Sequence, residues 1–327
     1  MRGAGEQSIT VKNGKCSDTT HHSAASGQRL LLARPEMTAS KQPFLRALPD
    51  DHPANELTLA IVGGRPGEEP CPWGSAVFIG PGIALSATHV LHDLWNHLDS
   101  PEDWVHTEQA TFAVQAIQYA EGENNARLWH IERAFHSDAI DIVILQLVPD
   151  HDLPGGYDWP YLTLDVAHPE VGTEVQAFGF PESDVRFIAE AGGWVLEHQP
   201  AGSIGKVTQV FPLFRDNAKL HYPSFEMDLE IKGGMSGGPV FDKSGHLRGI
   251  VCSSFTFAKA DAPISYASTL WPSLALPVCP TSNLSVEHDQ PRLLHLAQQG
   301  AITAINHEGI TLPDQPGNVH HVTYDTS

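Results

Sequence analysis

The sequence has no long apolar run and few cysteines, and both scarcities exclude classes of protein. No window approaches the roughly 18 consecutive apolar residues that a membrane-spanning helix needs. The first thirty residues also lack the apolar centre of about 7–15 residues that a secretory signal contains. The four cysteines are far apart and form no CxxC pair: Cys16, Cys71, Cys252 and Cys279. We therefore expect a cytoplasmic protein of a reducing compartment, without a zinc site.

Basic residues are scarce as well. The 327 residues include 19 Lys and Arg against 39 Asp and Glu, which gives a formal net charge of −20. Residues 1–46 hold 7 of the basic residues and 3 of the acids, so the remainder carries 12 basic and 36 acidic residues, or −24. Such an acidic body repels phosphate backbones and anionic lipid surfaces. The charge predicts neither a nucleic-acid partner nor a membrane partner.

What the sequence does contain is a series of short apolar runs separated by turn residues. Its 28 Gly and 25 Pro favour many turns, and therefore short strands rather than long helices. Short strands at this spacing are typical of an all-β sandwich or barrel. We predict strands within 57–62, 75–79, 82–86, 139–147, 174–180, 193–196, 204–210, 227–231, 239–241 and 247–252.

The two ends of the chain differ from this pattern. Residues 1–50 are rich in Ser, Thr, Gly and Lys and have no sustained periodicity, which predicts a flexible, disordered N-terminal tail. Residues 283–327 form a C-terminal extension in which only 291–299 has a helical pattern, ending at Gly300. The extension is thus expected to hold one short helix and a polar end.

The central part, residues 51–282, is predicted to be a single functional domain made of two sets of strands. The segment 149–160 is rich in Pro, Gly and Asp and is the candidate linker between the sets. The first set covers about 55–150 and the second about 160–275.

Three segments carry the residue types that acyl transfer by serine requires. Ser236 lies among glycines, which allow a sharp turn whose N–H groups can converge on a developing oxyanion. His89 stands where an apolar strand meets a turn, and Asp141 stands at the start of an apolar strand, where a buried carboxylate needs a partner. Taken singly, these are a surface turn, a structural histidine and a strand-capping aspartate. Taken together, they supply a nucleophile, a general base and an orienting carboxylate.

The order His89, Asp141, Ser236 resembles that of the chymotrypsin-like serine proteases, in the trypsin-like peptidase form common in bacteria. The likeness includes the family's strand before the histidine, its Thr-Ala-Ala-His and Gly-Asp-Ser-Gly-Gly-Pro motifs, the opening of its second barrel and the strand lining its substrate channel. The corresponding segments are 74–79 (GSAVFI), 86–89 (SATH), 234–239 (GMSGGP), 177–181 (AFGFP) and 249–254 (GIVCSS).

The resemblance implies an all-β, chymotrypsin-like double β-barrel with the active site in the cleft between the barrels. It implies that Ser236 is the nucleophile of a serine endopeptidase, that His89 is its general base and that Asp141 orients His89. The N–H groups of Gly234 and Ser236 would form the oxyanion hole, and no cofactor or metal is implied. Asp138 is the rival carboxylate, but Asp141 is preferred because it enters a strand, as the family's does.

The resemblance also implies substrate-binding roles for Glu230, Cys252, Ser253 and Ser254. Glu230 lies six residues before Ser236, which matches the base of the family's primary pocket, where a carboxylate selects Arg or Lys. Polar and apolar residues alternate over 227–232, however, and this period of two favours a strand whose polar side chains simply face water. Both interpretations stay open.

The sequence departs from the secreted members of the family. Met235 stands where their zymogens have an aspartate that captures a newly cut N-terminus, and the run 61–64 is too close to His89 to be a mature N-terminus. The disulfide cysteines of the secreted members are absent as well. We therefore expect an intracellular bacterial enzyme of regulated proteolysis, which needs no activation cleavage and acts on a protein or peptide. A partner or trigger is expected to release its activity.

Two other classes of function are open. The run 234–238 also fits the G-x-S-x-G elbow of the α/β-hydrolases, which include esterases. That elbow leads into a helix, which Pro239 would obstruct, and its acid and histidine come later in the chain. The second alternative is a catalytically silent protease fold that serves as a binding module, because a fold does not dictate a function.

Overall fold

The computed structural model describes residues 29–33, 45–48, 52–64, 70–97, 113–119, 126–181, 183–188, 193–197, 200–255, 263–280, 284, 288, 291–312 and 323–324. Within these ranges the strands are β1 Arg29–Ala33, β2 Leu45–Ala47, β3 Thr58–Gly64, β4 Cys71–Gly80, β5 Ile83–Ser86, β6 Ala113–Tyr119, β7 Ala126–Phe135, β8 Val143–Pro149, β9 Thr163–Asp165, β10 Glu174–Gly179, β11 Asp184–Ile188, β12 Gly193–Glu197, β13 Ala201–Phe211, β14 Ser224–Met227, β15 Pro239–Asp242, β16 Leu247–Phe255, β17 Ile264–Thr269, β18 Thr303–Ile305, β19 Ile310–Thr311 and β20 Thr323–Tyr324. The α-helices are α1 Ala54–Leu57, α2 Thr88–His97 and α3 Leu293–Gln298, and Trp271–Ala275 forms a 3-10 helix. No helix in these ranges is long and apolar enough to cross a membrane.

The first barrel closes from six antiparallel strands in the order β3–β4–β5–β8–β7–β6, with β6 paired back to β3. The continuous apolar runs of β3, β4, β5 and β8 are almost wholly buried, because these strands pack against neighbours on both faces. In this core the rings of Phe78 and Trp129 meet edge to face with their centroids 5.1 Å apart. Trp159, from the loop that follows β8, packs on the same Trp129 ring.

The second barrel closes from six antiparallel strands in the order β15–β10–β13–β14–β17–β16, with β16 paired back to β15. Its core is formed by apolar side chains that are fully buried, among them Phe225, Met227, Met235 and Val251. The all-β, chymotrypsin-like double barrel expected from the sequence is thereby confirmed.

The ends of the chain attach to these barrels. The predicted helix near residue 291 is present as α3, and its leucines are buried, while β18 pairs with β9 beside the second barrel. The prediction of a structureless N-terminal tail differs from the structure at two places, because β1 pairs with β12 and β2 pairs with β13. β1 adds to the edge at β12, whereas β2 pairs with residues 201–203 of β13, the part of that strand that β14 leaves unpaired. In both places unpaired backbone N–H and C=O groups favour an added strand. The rest of the predicted tail lies outside the described residues.

One predicted strand is shorter than expected. The run 227–231 was predicted to be a strand, but β14 ends at Met227. The Asp228 backbone N–H still donates to the Lys206 carbonyl at 3.0 Å, but the Lys206 N–H donates to the Asp228 carboxylate and not to a backbone carbonyl. The alternation of burial continues beyond the strand, with Leu229 and Ile231 in the barrel core.

Candidate active site

His89 and Asp141 are brought together by two neighbouring strands. His89 is the second residue of α2, which begins just after β5, and Asp141 lies in the turn just before β8. Because Ser86 pairs with Val143, the end of β5 and the start of β8 lie side by side. His89 Nδ1–H donates to Asp141 Oδ2 at 2.8 Å, and the His89 backbone N–H donates to Asp141 Oδ1 at 2.9 Å. One carboxylate thus holds both the ring and the backbone of His89.

The electrostatics of this pair favour a protonated imidazole. Burial acts to lower the pKa of His89, but the hydrogen bond and the negative charge of Asp141, with a further contribution from Asp93, outweigh it and raise this pKa above 6.5. The His89 side chain remains 36% exposed. Since Nδ1 is bound to Asp141, Nε2 is the nitrogen available for proton transfer.

Two buried groups of the second barrel lie behind Asp141. The Tyr222 hydroxyl donates to Asp141 Oδ2 at 3.4 Å. Burial, together with the nearby Cys252 and Asp141, raises the pKa of Tyr222 far above its usual value. Burial and the charge of Asp141 also raise the pKa of Cys252 to about 12. Both groups are therefore neutral at pH 7, and the Cys252 thiol is not a nucleophile.

Ser236 lies between two consecutive tight turns. The Met235 N–H donates to the Lys232 carbonyl at 3.1 Å, and the Gly238 N–H donates to the Met235 carbonyl at 2.9 Å. Gly234 has a φ of +90° in the first turn, a conformation that favours glycine over any residue with a side chain. Met235 is fully buried in the second-barrel core, so its side chain anchors the loop that presents Ser236.

Strand β4 of the first barrel holds this loop in place. The Ser75 N–H donates to the Ser236 carbonyl at 2.7 Å. A Cβ on Gly74 would lie 2.8 Å from that same carbonyl oxygen and 2.8 Å from Val90 Cγ2, so only glycine fits between them. Val90 directly follows His89. The loop of Ser236 and the helix of His89 therefore meet at the same residue of β4.

Two buried serines complete this junction, and the sequence analysis did not identify either as functional. Ser75 Oγ donates to the Gly234 carbonyl at 2.7 Å and accepts the Phe180 N–H at 3.1 Å. Ser86 Oγ donates to the Ser75 carbonyl at 2.7 Å. The signal that points to them is a hydroxyl inside an otherwise apolar, fully buried strand, which requires a hydrogen-bond partner.

The backbone around Ser236 offers donors to a ligand. In the described part of the chain, the N–H groups of Gly234 and Ser236 donate to no protein acceptor. Gly234 is anchored on its carbonyl side, because its carbonyl accepts from Ser75 Oγ. Two such N–H groups beside a serine hydroxyl are the arrangement that stabilises a developing oxyanion.

The residues expected to bind substrate have different positions. Cys252 is 6% exposed and its thiol lies against Tyr222 and Asp141, so its expected role in substrate binding stays a prediction. Ser253 and Ser254 lie on β16, paired with β17. Glu230 is half-buried, and its backbone N–H donates to Ser203 Oγ at 3.1 Å. The alternation predicted around Glu230 is confirmed, while its role in specificity stays a prediction.

Comparison with known proteins agrees with this geometry. The sequence matches the family model of the trypsin-like peptidase domain over residues 74–250, a span that includes His89, Asp141 and Ser236. No match was found among curated proteins.

Several solved structures are similar to this chain. The Rv3671c protease from M. tuberculosis, in its active form, is 16% identical with a TM-score of 0.44, over 75% of this chain and 87% of that one. The HtrA-type protease AlgW with a decapeptide is 16% identical with a TM-score of 0.44, over 68% and 62% of the two chains. Deg5 is 18% identical with a TM-score of 0.42, over 66% and 84%.

Proposed function

This chain belongs to the trypsin-like peptidase family of serine proteases, and we propose that it cuts peptide bonds with Ser236 as nucleophile, His89 as general base and Asp141 as the orienting carboxylate. The observation that carries the proposal is the double hydrogen bond from His89 to Asp141, next to the glycine-rich loop of Ser236. The same strand, β4, contacts both the loop and the helix of His89.

The chemistry follows from this arrangement. Ser236 Oγ attacks the carbonyl carbon of the scissile bond while its proton passes to His89 Nε2. The N–H groups of Gly234 and Ser236 donate to the oxyanion, a contribution of about 3–4 kcal/mol per donor in enzymes of this type. His89 then gives its proton to the leaving amine, and water hydrolyses the acyl ester with His89 again as the base. The raised pKa of His89 supports this role, because the imidazolium must be stable while the proton is held.

The substrate is a protein or peptide, and no cofactor enters the reaction. Glu230 gives the enzyme a preference for Arg or Lys before the cut bond, if its carboxylate reaches the pocket. Cleavage of Arg and Lys peptides at an unchanged rate by Glu230→Gln would exclude that preference. The conservative change keeps the half-buried position filled and removes only the charge.

We place this activity in regulated proteolysis inside a bacterial cell. The 327 residues include only four cysteines, which are far apart in sequence, and such sparse use of cysteine suits a reducing compartment. Met235 fills the second-barrel core where the zymogens of the family hold an acid, so an activating partner or trigger replaces cleavage. This proposal predicts low basal activity of the pure protein on casein. High constitutive turnover of casein would contradict it.

A fluorophosphonate probe tests the proposed nucleophile. The probe should label the wild type and the matched control Ser244→Ala, whose serine lies in an exposed turn. Ser236→Ala should not be labelled, and His89→Ala should be labelled far more slowly, because the general base is lost. Labelling of Ser236→Ala at the wild-type rate would contradict the proposal.

The fold decides one of the two alternatives, the α/β-hydrolase, and leaves the other, the silent binding module, to experiment. The α/β-hydrolase interpretation is wrong, because the chain after Ser236 enters the strand β15 and not a helix. The silent binding module is tested by ester hydrolysis. Turnover of an acyl ester by the wild type, lost in Ser236→Ala, would exclude it.

A further inference from the structure

A second group of ligating side chains lies close in sequence to the His89–Asp141 pair. His92 follows His89 by three residues on α2, Asp138 precedes Asp141 by three residues, and His136 directly follows β7. One ligand atom from each of His92, His136 and Asp138 lies within 4.8 Å of the other two. Two segments distant in sequence, helix α2 and the turn after β7, thus bring two imidazoles and a carboxylate to one place.

We infer that His92, His136 and Asp138 bind a divalent transition-metal cation of the zinc type, contrary to the expectation from the cysteine spacing, because this group of ligands contains no cysteine. Two imidazoles and one carboxylate are ligands that Zn²⁺ accepts, and three protein ligands leave a fourth position for water. Metal–ligand distances near 2.1 Å in a tetrahedral site place the donor atoms about 3.4 Å apart, so the three ligand atoms must move closer together to reach one ion. The exposed Asp138 side chain can rotate to close the remaining distance, and it also gives the ion a path from solvent.

The surroundings of His92 support a ligand at this place. His92 Nε2 is buried and has no hydrogen-bond partner among the described residues. A buried polar atom in that state is destabilising unless another group takes it. The His92 ring lies 5.3 Å from the His136 ring and 5.2 Å from Trp95, which is 3% exposed. An aromatic wall of this kind limits the access of water and strengthens metal coordination.

Another cluster of carboxylates and an imidazole, on β9, β15 and the turn after it, contrasts with the His92 cluster because a protein cation already occupies it. Asp165, Asp242 and His246 also lie within ligand distance of one another. There the Arg248 guanidinium pairs with Asp165 and lies 3.9 Å from Asp242, so a protein cation already neutralises the acids. Asp138, in contrast, makes no ion pair with any residue that the structure describes, which leaves its charge for a bound cation.

The position of the site gives metal binding a consequence for the two segments around it. An ion held by His92 and Asp138 would join helix α2 to the turn that ends at Asp141. Because it binds the folded state, it should raise the melting temperature of the protein. Binding does not depend on the proposed peptidase activity, whereas any effect on His89 and Asp141 as catalytic groups rests on it.

Isothermal titration calorimetry of the metal-free full chain with Zn²⁺ alone tests this inference by measuring the stoichiometry and affinity of binding. Thermal unfolding with and without Zn²⁺ measures the melting temperature. We expect one tight equivalent of Zn²⁺ and a higher melting temperature. Asp138→Asn and His92→Gln should each weaken binding by more than tenfold, since loss of even an outer partner of a metal ligand costs about 10–100-fold. The matched control replaces the His21-His22 and His320-His321 doublets with Gln and should bind like the wild type.

Each outcome decides the question. Wild-type affinity in both Asp138→Asn and His92→Gln would overturn the inference, as would a protein that binds no Zn²⁺. Loss of binding only in the doublet variant would assign the metal to the ends of the chain and overturn it as well. Asp138 is exposed, so Asp138→Asn remains informative if His92→Gln fails to fold. Fluorophosphonate labelling of the metal-free protein reports on Ser236 separately, so failure of the metal site and failure of the proposed function are distinguishable.

Discussion

Asp141 receives both the ring N–H and the backbone N–H of His89, at 2.8 and 2.9 Å, so each of its carboxylate oxygens accepts a hydrogen bond from the same residue. The backbone bond fixes the start of α2, and the ring bond fixes the tautomer that leaves Nε2 free to accept a proton. Rotation of the carboxylate would break both bonds at once. The ring orientation and the backbone position of His89 therefore depend on one group.

Asp141→Asn should lower kcat by about 10⁴-fold, because an amide can donate to Nδ1 and so select the wrong tautomer of His89. Steady-state hydrolysis of an acyl ester measures the effect. The matched control is Asp152→Asn, which removes an exposed acid of the loop after β8 and should leave kcat unchanged. A change of less than tenfold in Asp141→Asn would contradict the proposed role of Asp141.

The pH profile of the enzyme should report the raised pKa of His89. Only neutral His89 can accept the proton of Ser236, so kcat/KM should rise with pH and reach half its plateau above 6.5. Asp141→Asn removes the hydrogen bond and charge that raise this pKa, whereas burial, which lowers it, remains. The midpoint of any residual activity should then move to lower pH. A wild-type midpoint below 6.5 would contradict this assignment.

Gly74→Ala should push the loop of Ser236 away from helix α2, which carries His89. The added methyl group would lie 2.8 Å from both the Ser236 carbonyl and Val90, and overpacking of this kind costs about 1–3 kcal/mol. The melting temperature and the rate of fluorophosphonate labelling should both decrease. Gly155→Ala is the matched control, since nothing lies within 4 Å of its Cβ. Wild-type labelling by Gly74→Ala would show that the close approach at β4 does not position Ser236.

Ser75→Ala should affect both stability and acylation. It leaves the Phe180 N–H without its acceptor and the Gly234 carbonyl without its donor, a loss of about 1–3 kcal/mol for a buried polar group. Gly234 would also lose the bond that anchors its carbonyl, so the position of its N–H in the proposed oxyanion hole would be less well fixed. The value of kcat should therefore fall by a larger factor than KM changes. Ser244→Ala serves again as the control. If Ser75→Ala lowered stability alone, with kcat intact, the bond to Gly234 would be purely structural.

The apolar runs by themselves predicted only an all-β sandwich or barrel, whereas the double barrel and the approach of His89 to Asp141 were predicted from the resemblance to the chymotrypsin-like serine proteases. Apolar runs of strand length are visible along the chain, and His89 and Asp141 flank strands of such runs. The contributions of Ser75 and Tyr222 could not be predicted, since each contacts a partner 81 or more residues away. Such contacts depend on how two closed barrels face each other. No periodicity within either segment reports that arrangement.

The strands in the N-terminal region were missed for a related reason. β1 and β2 are five and three residues long, which is too short for a sustained alternating pattern. Their conformation comes from the sheet edges that they join at β12 and β13. The early end of β14 was missed because a side chain, Asp228, competes with the backbone ladder.

The contacts of β4 with the Ser236 loop have a consequence for how the enzyme fails. Ser236, the proposed nucleophile, belongs to one barrel, but the Ser75 amide that donates to its carbonyl belongs to the other. Loosening of the interface would therefore displace Ser236 before either barrel loses its own core. During gradual heating, the reactivity of this serine should disappear earlier than the secondary structure, which makes the probe a local sensor of barrel docking.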